Sequence, residues 1–573
     1  MPHFFEPRSP LKSARKPLIW LTIAVAALLT CRRVIFRYEI IKLMSDQVSH
    51  IPLVLHLLDP SVLATDWYVE RMSEFTVRTI YAFFLGGLSK ILGVDAGLLL
   101  VHILAHAAAV YASWHLAVRT LGGGTLAGLL AIAVVVLVAG PTFDQNSLAI
   151  MSDSARPKDL AKALTCLAIA FAFRRQGRAV LICLCAAAAI QLAYPLWMGL
   201  AILAAWTATA FAQERQIEAT IAAGLAATIL AVFGVPVIAA LAAEWIGPPD
   251  EGLVHIVATL RNPHHFFIDG WETSDIVRAV ALVIATLVLI GTFGLRRDSD
   301  DHRWFRRVAI CLCVAVVCYA LVGLALVTAF PSKVGLALQG FRYGYIVFWL
   351  FLVLLSVRLA SLIAFAWQQL PAGFRKATES TAKRVDHPAT AAMAIALALA
   401  FLFVPLSSNR VAHAVHDVTR YVPSLALYRE VGRYDRKGRL RQNIADLIEM
   451  SSRVKQSVPA DGIVLTPPGF GILRVLSERS LVVGFKSWPF GHAEEWFARM
   501  EAVYGTAEGR RGFDWMHAMD LNYRAYGCDD IKRIAERFEA THAVVYHGSG
   551  TARCGGEVAR AGSLTLLAIS PAE

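Results

Sequence analysis

Nothing constrains this chain more than its apolar runs. Ile276–Gly294, Val308–Phe330 and Tyr345–Trp367 hold at most one charged residue each, and a helix that crosses a bilayer needs roughly 20 apolar residues. Such runs recur to about residue 406. With 57% hydrophobic and 17% charged residues, a water-soluble protein of this length would lack polar surface. The sequence therefore predicts a polytopic α-helical membrane protein over residues 1–406 and a C-terminal soluble α/β domain over residues 407–573.

Candidate spans are 17–36, 76–93, 97–118, 124–140, 159–173, 178–193, 196–212, 219–243, 275–294, 307–329, 343–368 and 389–406. The basic connections Arg174-Arg175…Arg178, Arg296 to Arg307 and Arg375 to Arg384 mark the cytoplasmic side. Lys12, Arg15 and Lys16 precede the first run, which reads as an anchoring helix entering from the cytoplasm. An inner N-terminus and an outer tail need an odd number of crossings, so about thirteen are expected, with one unaccounted for near 97–160. The loops 37–75 and 244–274 and the tail then share the outer side of an inner (plasma) membrane.

Net charge is +12, yet residues 407–573 hold 22 Lys/Arg against 19 Asp/Glu, a surplus of 3. The excess thus sits in short connections as a topology signal, and no basic stripe interleaved with aromatics points to nucleic acid. Seven of nine cysteines lie in or beside apolar runs, as packing residues do. Cys528 and Cys554 alone lie in the tail, where an extracytoplasmic setting would let them pair. The tail alternates β-favouring runs (462–466, 480–484, 543–546, 564–568) with helical spacing at 444–458, 493–504 and 530–540, which predicts a parallel or mixed sheet covered by helices. The turn Thr466-Pro-Pro-Gly-Phe-Gly471 lacks nucleotide-binding spacing.

Charged groups near membrane depth are the natural functional candidates. Asp46, with His50 one helical turn later, would supply a general base or a metal ligand; Asp66 is a second such acid. The stretch Ile51–Leu58 suits a helix along the membrane interface, with Trp67 and Tyr68 as headgroup anchors. Asp59-Pro60 reads as a turn. Arg156 and Lys158, next to Asp153 and Asp159, open an apolar helix and suit an anionic head group, as does Arg342 at an outer helix end. His264 and His265 with Asp269 form a weaker metal-ligand pattern.

An inner N-terminus, a long first outer loop with early acids, a dozen further spans and a closing α/β domain resemble the GT-C class of membrane glycosyltransferases, which use polyprenyl-phosphate sugars. The resemblance implies transfer of a sugar from a polyprenyl-phosphate donor to an envelope glycan, lipid or protein acceptor, with a divalent metal such as Mg or Mn. It implies Asp46 as the acid of the first outer loop, with Asp66 second, and Asp144 and Asp153 for a second outer loop. Loop 37–75 holds no paired-acid Asp-x-Asp or Asp-Glu motif, and the tail lacks a tryptophan-rich acceptor motif; the second departure argues against Asn-linked glycosylation. Two other classes fit the same charges. One is a transporter or flippase of an anionic or lipid-linked substrate. The other is a non-catalytic scaffold of envelope polysaccharide assembly, its ligand face made of Arg474, Arg479, Lys486, Trp488, Trp496 and Arg499.

Overall fold

A computed structural model describes residues 47–74, 79–138, 155–213, 224, 251–267, 273–293, 299–369, 442–489, 491–548 and 554–569. The expected spans 17–36, 219–243 and 389–406, the 406/407 boundary, and Asp46, Asp144, Asp153 and Asp269 lie outside the described residues.

Membrane helices dominate. Val94–Thr120, Ala193–Ala212, Asp300–Thr328 and Lys333–Ala366 are each long and apolar enough to cross a bilayer. Shorter helices Thr79–Leu92, Gly124–Val138, Pro157–Ala172, Gly177–Ile190 and Thr273–Thr292 pack among them. Their starts obey local chemistry. Pro157 occupies the first turn of its helix, where a missing N–H costs nothing. Ser299 accepts from the His302 N–H and Ser332 from the Gly335 N–H, satisfying otherwise orphaned donors. Val277, Val280, Ile284 and Val288 stand exposed along one face of Thr273–Thr292, as lipid-facing side chains do.

One end of the bundle collects arginines. Arg175 pairs with Asp300 at 3.1 Å and stacks on Trp304, Arg174 donates to the Arg119 carbonyl, and Arg307 donates to that of Ala212. The two expected basic connections, after 173 and before 307, therefore meet at the same end.

The tail forms a five-stranded mixed sheet from β1 (Ile463–Leu465), β2 (Ser480–Leu481), β3 (His542–Tyr546), β4 (Gly556–Ala561) and β5 (Leu564–Ala568), in the order β2-β1-β3-β5-β4. β2, β1 and β3 run parallel, and β5 is antiparallel to β3 and β4. Helices Gln442–Ser457, Ala493–Tyr504, Gly512–Ala525 and Cys528–Arg537 accompany it. Cys528 and Cys554 are disulfide-bonded.

The tail is not a free appendage. Its core is continuous with the helices Gln47–Leu58 and Trp67–Met72: Val48, Ile51, Tyr68 and Met72 share one hydrophobic cluster with Leu465, Leu473, Leu481 and Trp496. Leu160, Ile190 and Val327, at the helix ends away from the arginines, join the same cluster. This corrects the reading of 51–58 and Trp67-Tyr68 as a headgroup-level element. Tyr68 is fully buried and its hydroxyl donates to the Ser49 carbonyl at 2.6 Å, so protein, rather than lipid, covers these rings.

Candidate site at the junction of bundle and tail

Asp66 was the clearest acid of the first outer loop among the described residues, and the structure gives it a different occupation. It caps the Trp67–Met72 helix, accepting the Val69 N–H at 3.0 Å. Its other oxygen accepts from Arg474 Nε at 2.7 Å and from the Leu481 N–H at 3.0 Å, and both charged side chains are fully buried. With three protein donors and no exposure, the carboxylate cannot meet a substrate; it ties the 47–74 segment to the tail. Around this pair, Thr65 meets Ser480, Trp67 Nε1 and Arg71 Nε donate to the two oxygens of Glu495 at 2.6 and 3.1 Å, and Arg499 lies over Trp67. Glu495 shows the electrostatics. Partial burial pushes its carboxyl up, but the Trp67 and Arg71 hydrogen bonds and the Arg71 and Arg499 charges prevail and hold it below the usual range. On the other flank Arg261 stacks over Trp488 and Trp496 and donates to the carbonyls of Phe485 and Lys486. Arg474, Trp488 and Trp496 are thus buried in this junction, which removes them from the ligand face the scaffold reading requires.

Beneath the junction lies a second polar group, built on the Pro157–Ala172 helix. Asp159 in its first turn is favoured by the helix dipole, and Arg156 grips it with Nε at 3.1 Å and a second nitrogen at 3.4 Å. Three residues beyond Asp159, on the same face, stands Lys162, 2% exposed. Its ammonium sits 5.3 Å from the ring centre of Tyr194 and 5.0 Å from that of Tyr345, cation–π contacts that offset part of its desolvation. Asp159 attracts Lys162, while Lys158, Arg156 and Arg342 repel it. Four cations therefore gather about one carboxylate among the described residues.

Tyrosines wall the group. Tyr194 meets both Tyr343 and Tyr345 edge-on, and Tyr343 also meets Tyr319. Arg342 reaches this place on the short 3-10 turn Gly340–Tyr343, which is pressed against the Asp300–Thr328 helix. A Cβ on Gly340 would collide with the Tyr319 carbonyl, so only glycine permits that approach. Across the group Tyr81 feels the Asp159 charge and meets the His50 ring at 5.3 Å. The buried Nε of Arg342 and the buried Tyr81 hydroxyl have no hydrogen-bond partner among the described residues.

The structure thus brings Arg342, nominated at a distant position in the sequence, to Arg156 and Lys158, and sets His50 beside them through Tyr81. His264 sits in the short helix Pro263–Phe266, with its side chain outside the described part. Lys162 and Tyr81 were missed, although a lysine one turn inside an apolar helix is itself a signal. Asp59 accepts the N–H and hydroxyl of Ser61, the expected turn. Among the described residues no group of three or more His, Cys, Asp or Glu could hold a metal ion.

Residues 445–503 match the family described as a domain of unknown function (DUF6798); that segment includes Arg474 and Glu495, which clasp Asp66, Trp67 and Arg71. No curated protein matches. Among solved structures, the chain is similar to that of the archaeal oligosaccharyltransferase AglB from Archaeoglobus fulgidus in complex with an inhibitory peptide and a dolichol-phosphate. Its identity to this chain is 11% and the TM-score 0.49, over 94% of this chain and 70% of that one.

Proposed function

We propose that this protein is a GT-C-like membrane glycosyltransferase that takes its sugar from a polyprenyl-phosphate donor at the outer face, with the cluster around Lys162 as the phosphate cradle. The observation that carries the reading is the gathering of Arg156, Lys158, Lys162 and Arg342 about one carboxylate, at the bundle end opposite the arginine-rich connections. The orphaned Arg342 Nε, beside the buried Lys162, is a donor that a lipid-borne phosphate would satisfy.

In such a transfer the acceptor hydroxyl loses its proton to a base and attacks the anomeric carbon. The bond to the donor phosphate breaks, and the phosphate departs with the electron pair. The cations would stabilise charge as it builds on the leaving oxygen. Asp46, which directly precedes the Gln47–Leu58 helix in sequence, is the proposed base or metal-positioning acid. Asp144 and Asp153 are the proposed acids of the second outer loop, where Mg or Mn would be held. Acceptor and donor sugar belong to the envelope by this reading. The positive-inside rule puts the arginine-rich end in the cytoplasm of a plasma membrane. The Cys528–Cys554 bond supports an oxidising, extracytoplasmic setting for the tail.

The test is turnover of a polyprenyl-phosphate sugar in purified membranes. Lys162→Met and Asp46→Asn, each with the tail still docked, should abolish covalent product. Full product from both variants would remove the cradle and the base together. Vectorial uptake without product would instead establish the transporter alternative.

A further inference from the structure

The tail carries few large apolar side chains on its surface, and they are not scattered. Among the described residues from 442 onward, those exposed are Phe513 (49%), Leu521 (53%) and Val558 (41%). The first two lie on the Gly512–Ala525 helix, where Phe513, His517 and Leu521, spaced by four, make one exposed stripe. The opposite face, Trp515, Met519 and Tyr523, is buried in the tail.

The helix's place in the fold shows what that stripe meets. β1, β2 and β3 are parallel, so their carboxyl ends lie along one edge of the sheet, and this edge faces the bundle. Gly471, after β1, lies against Val48; the turn after β2 receives Ser49 and Arg261 on its carbonyls. The Gly512–Ala525 helix follows the same edge. A Cβ on Gly512 would lie 3.4 Å from the Pro263 ring, Met516 neighbours Gly469, and Asp520 accepts the Tyr546 hydroxyl at the end of β3. Pro263 itself precedes, by ten residues, the start of the lipid-facing helix Thr273–Thr292. Cations flank the stripe: Arg510 and Arg511 are exposed just before the helix, and the Lys486 ammonium lies 5.0 Å from the Phe513 ring centre. Asp514 is the acid of that first turn.

We propose that this stripe is a membrane-contact surface that seats the tail on the outer leaflet. Phe513 and Leu521 enter the boundary between headgroups and acyl chains, and Arg510, Arg511 and Lys486 meet lipid phosphates. The inference rests on the bundle lying in a bilayer and stands apart from the sugar-transfer reading.

The full-length protein in nanodiscs of phosphatidylglycerol and phosphatidylcholine tests it. Nitroxide labels would be placed through Leu521→Cys, with Val280→Cys as the lipid-facing standard and Val558→Cys as the aqueous one, each with Cys318→Ser. The label at 521 should match that at 280 in its response to lipid-dissolved oxygen and be shielded from a water-soluble nickel chelate, while 558 is relaxed by the chelate. Arg510→Glu with Arg511→Glu should move 521 toward the aqueous standard, more so in phosphatidylglycerol. A label at 521 that behaves like 558 overturns the proposal. So does one shielded from both reagents, because a protein partner would then cover the stripe.

Discussion

At the scale of single residues, the same charge type serves two ends. Asp66 and Arg474 neutralise each other in a fully dry place, where the pair also satisfies backbone donors. Removing one partner strands the other, so Asp66→Ala should cost about 3–5 kcal/mol of stability, read by denaturant unfolding. Asp66→Leu with Arg474→Met should recover most of it, since a well-packed apolar pair escapes the desolvation penalty. Lys162 should show the opposite pattern. Its ammonium is buried between Tyr194 and Tyr345, so Lys162→Met should leave thermal stability unchanged or higher while transfer is lost. From sequence alone, Asp66 stood second to Asp46 among the candidate acids of one loop. What separated Asp66 was a partner 408 residues away, which no local pattern encodes. Lys162, by contrast, was legible as a charge inside an apolar helix, but its neighbours Arg156 and Lys158 drew the attention.

At the scale of elements, position is set by close backbone approach and by paired charges. Gly340 lets the Gly340–Tyr343 turn press on the Asp300–Thr328 helix, and that turn presents Arg342. Gly340→Ala should therefore cost about 1–3 kcal/mol by overpacking and lower turnover as Arg342 shifts, whereas Gly291→Ala, where a Cβ meets nothing within 4 Å among the described residues, should do neither. Glu495 joins the tail to Trp67 and Arg71, and its folded-state carboxyl is held below the usual range. Its contribution to docking is present above the unfolded carboxylate pKa and is lost as pH falls through the lower folded value. Protease access to the junction should rise over that acid range in the wild type, and Glu495→Gln should already show it at neutral pH. Helix and strand positions were widely readable: β3 and β5, buried runs of Val and Leu, lie where the β-favouring runs predict. β4 (GEVARA) escaped because an exposed edge strand with charged residues has no apolar alternation. The Gly512–Ala525 helix escaped too, although Trp515, Met519 and Tyr523 recur every four residues.

At the scale of the whole molecule, apolar run length carried the membrane class, and turn chemistry with β-branched runs carried the tail's α/β character. Neither could reveal that the two parts share one hydrophobic core, because that core is made where runs from distant positions meet. A tail so joined has its sheet's carboxyl edge toward the bundle, and below that junction lies the cationic group at the far end from the arginine connections. Severing Cys528–Cys554, which closes a separation of 26 residues, should cost the tail about 3–4 kcal/mol by the chain-entropy relation, measured as a lower unfolding midpoint. The central claim is that the cluster around Lys162 receives a lipid-borne phosphate, and a structure determined with a bound polyprenyl-phosphate sugar tests it most directly. The account predicts phosphate density within hydrogen-bonding distance of Lys162 and Arg342, lost in Lys162→Met; phosphate density elsewhere, with the cluster closed on itself, would contradict it.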